Sequence, residues 1–144
     1  MAQLTVTASQ KIAAPAGKIY ATIADYRHSH PEILPKPPFI SLAVEKGGVG
    51  DGTIITFQMK VSGRVQNLRA TVTEPEPGRV LVESNNNGSI TTFTIEADSL
   101  VTISTTMTIR DGLLGKIEGW LARQYLHPIY VRELKQLESV AQQF

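Results

Sequence analysis

The chain has 144 residues, a net charge of +1, 42% hydrophobic and 19% charged residues, and no cysteine. That length suits one domain (1–144) with a core large enough to hold a cavity, and the near-neutral charge offers no footprint for nucleic acid. Without cysteine, disulfides and thiol catalysis are excluded, and a zinc site would need His and carboxylate ligands. The opening MAQLTVTASQKIAAP has no long apolar stretch and reads as a strand, not a signal peptide. No run of about 18 apolar residues follows. The expectation is a cytoplasmic protein with no integral membrane association.

Leu4, Val6, Ala8 and Ile12 share one face of a first strand. Pro15 opens a helix, and Ala16, Ile19, Tyr20 and Ile23 form its apolar stripe. It ends at Asp25-Tyr26, and DYRHSHPEILPK follows, with His28, His30 and Glu32 two apart. Residues 28–35 read as a second short helical segment capped by Ser29 or His30, with Pro31 in its first turn. Positions two apart do not share a helix face, so these three side chains are expected to form a structural turn and no metal site.

Residues 39–110 read as six antiparallel strands with short connections. Ile40, Leu42 and Val44 precede the turn GGVGDG, which lacks the Lys-Ser/Thr ending of a phosphate loop. Ile55, Phe57, Met59 and Val61 alternate before the hairpin signal Ser62-Gly63. Leu68, Ala70 and Val72 follow, then EPEPG, Val80–Ser84, NNNG, and a last hairpin of Ile90–Glu96 and Leu100–Ile109. Arg69 and Glu83 alternate with apolar neighbours and are expected on the solvent side.

From Leu113 the spacing becomes helical. Ile117, Leu121, Gln124 and Pro128 are expected to face the sheet, and beyond Pro128 the stripe is Tyr130, Leu134, Leu137, Ala141 and Phe144. One long helix, kinked near Pro128, is predicted. The fold class is α+β: a curved antiparallel sheet of about seven strands, wrapped around the long C-terminal helix, with two short helices after the first strand.

This order resembles the START-like, helix-grip superfamily, also called SRPBCC or Bet v 1-like, and most of all its polyketide cyclase/dehydrase branch. The carrying stretches are IAAPAGKIYATIADY, HPEILP, GGVGDGTIITF, VTEPEPGRVLV and GLLGKIEGWLARQYLHPIYVRELKQLESVA. The resemblance implies an apolar cavity between sheet and helix, of about 300–1,000 Å³ if it is an ordinary small-molecule site. Phe57, Met59, Val61, Phe93, Ile95, Ile103 and Met107 are expected to line it from the sheet, and Ile117, Leu121, Gln124 and Pro128 from the helix. Its mouth is expected near Tyr26, His30 and Ile33, with Tyr20 supplying a further hydroxyl.

No Ser-His-Asp arrangement and no inward pair of carboxylates is evident in the sequence. The first functional expectation is therefore binding of a small hydrophobic molecule, lipid-like or polycyclic, without a cofactor. The second is a cyclase, aromatase or dehydratase working in the same cavity. The third is a co-chaperone-like interaction module, which would show a filled cavity and an exposed apolar patch.

Overall fold

The computed structural model describes residues 2–143. Strand β1 (Ala2–Lys11) leads into helices α1 (Ala16–Ala24) and α2 (His30–Ile33). Six strands follow: β2 (Phe39–Lys46), β3 (Ile54–Val61), β4 (Arg64–Glu76), β5 (Val80–Asn85), β6 (Ile90–Ile95) and β7 (Leu100–Ile109). Helix α3 (Gly112–Gln143) is the last described element. The strands form one antiparallel sheet in the order β1-β7-β6-β5-β4-β3-β2, so β2 to β7 make a meander and β1 closes onto its last strand. This is the α+β helix-grip fold. None of the described helices is long and apolar enough to cross a membrane.

Alternation sets which way each strand faces. Leu4, Val6 and Ala8 of β1 are buried, while Thr5, Thr7 and Ser9 point outward and pair their hydroxyls with Thr106, Ser104 and Thr102 of β7. At the β3–β4 hairpin Ser62 and Gly63 both take positive φ, 51° and 78°, as a two-residue turn matching the strand twist requires. The core runs from β1 across β5, β6 and β7 to α1 and the second half of α3, with Ile19, Ile23, Leu81, Ile103 and Leu137 fully enclosed.

The long helix passes through Pro128 as one element, but not with the face the sequence suggested. Its first half presents Gly115, Gly119 and Ala122 inward, while Leu113, Leu114, Ile117, Trp120 and Leu121 are exposed. Small residues let the helix lie close to the sheet. A Cβ on Gly115 would sit 1.5 Å from the Arg110 carbonyl oxygen, and one on Gly119 would touch Leu4 and Ile109. Beyond Pro128, Tyr130, Leu134, Leu137 and Ala141 are buried as expected; Phe144 lies outside the described residues. Two hydrogen bonds from the Arg110 guanidinium to Glu118, 2.9 and 3.0 Å, tie the end of β7 to the helix.

Candidate functional site

Between the sheet and α3 lies a cavity of about 800 Å³. Its wall is mostly apolar: Leu42, Phe57, Met59, Val61 and Leu68 from β2 to β4, Phe93 and Met107 from β6 and β7, and Leu121, Leu126 and Ile129 from α3. A polar wall interrupts this lining, and register explains where. Glu83 pairs with Thr91, Thr91 with Thr105, and Thr105 with Val6, so one transverse row of inward positions carries Glu83, Thr91 and Thr105. One row along, Leu81, Phe93, Ile103 and Ala8 continue the apolar core. Tyr130 and Glu133, three apart on one face of α3, line the same cavity.

The Tyr130 hydroxyl pairs with Thr105, whose own hydroxyl is 2.8 Å from that of Thr91. Glu83 is 9% exposed and accepts a 2.5 Å hydrogen bond from the buried Tyr26 hydroxyl. His30, 2% exposed, stacks on Tyr26 with ring centroids 4.2 Å apart and meets Phe93 edge-on at 5.9 Å. Its Nδ1 lies 2.7 Å from the Ile23 carbonyl, an acceptor, so Nδ1 carries the hydrogen and Nε2 is bare. That Nε2 stands 3.6 Å from Glu83. Glu133 is 3% exposed and has no hydrogen-bond partner among the described residues.

Burial decides the protonation states. It raises the Glu83 carboxyl to about 7, only partly offset by the Tyr26 hydrogen bond. It pushes Glu133 well above the usual carboxylate range, and the nearby Glu83 charge adds to that. His30 falls to about 4 because the imidazolium would be buried. The Tyr130 hydroxyl is pushed up to about 12, again chiefly by burial. Near neutral pH the wall therefore holds a neutral imidazole, neutral phenols, and carboxyls poised to keep or release a proton.

The turn before α2 holds this wall in place. The Asp25 carboxylate accepts the backbone N–H groups of Arg27 and His28 and bonds the His28 ring, leaving His28 in solvent. Ser29 does not cap α2. Its hydroxyl donates to the Thr22 carbonyl, and His30 takes that of Ile23, so both serve the otherwise unpaired carbonyls at the end of α1. The loop 47–52 grips the same place: Tyr26 N–H donates to Gly48 O and Gly50 N–H to Ala24 O. A side chain at Gly50 would collide with Glu74, which receives the Tyr20 hydroxyl at 2.6 Å. Among the described residues no three His, Asp or Glu side chains converge to hold a metal.

Of the residues proposed from sequence, His30, Phe57, Met59, Val61, Phe93, Met107, Leu121 and Gln124 line the cavity. Tyr20, Tyr26 and Ile33 do not. They are buried and off its wall, so of the three residues expected at the mouth only His30 reaches the cavity. The exposed Ser62, Gln66, Asn87 and Gln124 border it at the other end. Ile95 and Ile103 point inward but belong to the solid core. Ile117 is 48% exposed and off the wall, and Pro128 borders a small separate groove with Val6 and His127, because the glycine face of α3 turns inward in their stead. Arg69 is exposed and bonds Glu45 at 2.8 Å. Glu83 is buried, against expectation, and with Glu133 it supplies the inward pair of carboxyls that the sequence reading missed.

The family model described as polyketide cyclase/dehydrase and lipid transport matches residues 3–142. Among solved structures, the solution structure of the KanY protein superposes with a TM-score of 0.84 at 26% identity, covering 99% of each chain. The di-domain ARO/CYC protein StfQ of the steffimycin biosynthetic pathway gives 0.76 at 14% identity, over 98% of this chain and 52% of that one. A START superfamily protein from Mycobacterium smegmatis gives 0.69 at 16%, over 98% and 97%. No curated protein matches the sequence.

Proposed function

The chain belongs to the polyketide cyclase/dehydrase and lipid transport family, and from that premise we propose that it binds a small, mainly apolar molecule in the cavity between sheet and α3. The carrying observation is an open cavity of about 800 Å³ with an apolar wall and a buried polar end, the usual build of a small-molecule site. The interaction-module reading calls for a filled cavity and an exposed apolar patch; Leu113, Leu114, Ile117, Trp120 and Leu121 are exposed on α3, but the cavity is not filled. A ligand's apolar body would lie along Phe57, Met59 and Met107 and its polar end against Glu83 and Glu133.

Ala122 lines the cavity from α3 and allows a direct test. Ala122→Trp should fill the space and weaken binding of the neutral fluorophore Nile red tenfold or more, while overpacking lowers stability by roughly 1–3 kcal/mol. Fluorescence titration and a urea melt read the two effects. Unchanged Nile red affinity in a folded variant would place the dye outside the cavity and remove the basis of the proposal.

A second reading, enzymatic cyclisation or dehydration in the same cavity, draws support from the Glu83 carboxyl. Held at about 7, it can give or take a proton near neutral pH.

A further inference from the structure

The polar end of the cavity is one-sided in its hydrogen bonding. Apart from the acid protons of Glu83 and Glu133, which a cation would displace, its donors are engaged: Tyr26 O–H by Glu83, His30 Nδ1–H by Ile23, the Tyr130, Thr105 and Thr91 hydroxyls among themselves, and Asn85 Nδ2 by Ser89. What is left open among the described residues is acceptors. Glu133 has no hydrogen bond on either oxygen and His30 Nε2 is bare, while Asn85 Oδ1 is unpartnered but enclosed. Since Asn85 Nδ2 faces the Ser89 carbonyl, the amide is oriented by its neighbours and its oxygen is the free end. Among the described residues no Lys or Arg lines the cavity, so none of them sets a permanent cation on its wall beside the two carboxyls.

A wall of acceptors with two uncompensated carboxyls complements a group that only donates and is positive. Ammonium is that group, with three N–H donors and no acceptor, and its charge would pair the carboxylates that burial otherwise disfavours. We infer that the ligand of this cavity is a lipophilic amine, its ammonium seated against Glu133 and Glu83 and its apolar body among Phe57, Met59 and Met107. The inference rests on the reading of the cavity as a ligand site.

Proton linkage gives it a signature. The ionisable groups around the seat are Glu83 from β5, Glu133 and Tyr130 from α3, His30 from α2 and Tyr26 from the preceding turn. The two tyrosines stay neutral through the working range and His30 is neutral above about 4, so between pH 5.5 and 8 only the carboxyls change. An ammonium favours their ionised form, so the amine must displace protons as it binds.

The test compares decylamine, decan-1-ol and decanoate by calorimetry at several pH values, in buffers of different ionisation enthalpy, with Nile red displacement alongside. Decylamine is expected to bind more tightly than the alcohol, to release about one proton near pH 6, and to gain affinity up to tenfold per pH unit from 5.5 to 7. Decanoate is expected to bind weakest of the three. In Glu133→Gln the amine-to-alcohol preference should drop tenfold or more. Decanol binding as tightly as decylamine, or amine affinity that falls as pH rises, would overturn the amine and leave the cavity as a site for neutral ligands. Failure of all three and of Nile red would overturn both readings.

Discussion

Glu83→Gln raises the stability of the folded protein by about 3 kcal/mol at pH 8 and by less than about 1 kcal/mol at pH 5. An unfolded glutamate releases its proton near 4.5, whereas Glu83 in the fold keeps it to about 7. The folded state thus holds the extra proton across that window, and stability falls as pH rises from about 4.5 through about 7. At about 1.4 kcal/mol per unit, two and a half units give the stated figure. Glutamine preserves the shape, accepts the Tyr26 hydroxyl and does not titrate. Glu133 acts in the same direction as Glu83. His30 acts in the opposite one: its folded value of about 4 lies below the ordinary 6.5, so stability is lost as pH falls from about 6.5 through about 4. Urea unfolding at pH 5 and pH 8 measures the difference between parent and variant. An identical pH slope in the two proteins would mean that Glu83 is ionised in the fold at little cost.

Leu137→Ala lowers stability by about 2–5 kcal/mol, the range for emptying a fully enclosed leucine site. Leu137 is wholly buried within the core cluster that joins α3 to the sheet and α1. Leu121→Ala, on the same helix but 55% exposed, changes stability by no more than about 0.5 kcal/mol. The contrast follows from the two halves of α3. The C-terminal half anchors the fold through large side chains, whereas the N-terminal half lies on the end of β1 and β7 through Gly115 and Gly119 and reaches the cavity through the edge residues Leu121 and Ala122. Equal effects from the two substitutions, read by chemical denaturation, would reject that division of labour.

The strands and helices were legible because a period of two and one near 3.6 were clear over long stretches, as in Ile55–Val61 and Tyr130–Ala141. Which face of a strand turns inward was harder. In Val80-Leu81-Val82-Glu83, apolar residues occupy both faces, and the acid suggested the wrong one. Only pairing in the sheet, with Leu81 beside Phe93 and Glu83 beside Thr91, resolves it. Glu133 carried a readable signal: it lies four residues after Ile129 and four before Leu137, inside the apolar stripe, as Gln124 does in the stripe read before it. The inward face of the first half of α3 was misread for a different reason. Gly115 and Gly119 pack through their lack of a side chain, and hydrophobic periodicity is blind to that.

The pairing of β1 with β7 sets the order of assembly. Ala2 meets Ile109 and Lys11 meets Leu100, whereas each β2–β7 neighbour is reached through a short turn. Closing so long a loop is entropically unfavourable until the meander is there to receive the strand. The transition state for folding is thus expected to contain the β3–β4 hairpin and not the first strand, and Gly119 of the covering helix gains its neighbour Leu4 only afterwards. Stopped-flow kinetics would show Val6→Ala speeding unfolding while leaving refolding nearly unchanged, and Ile55→Val slowing refolding. The reverse pattern would put the meeting of the distant segments first. In the expected order, the chamber between sheet and helix is enclosed only in the final step.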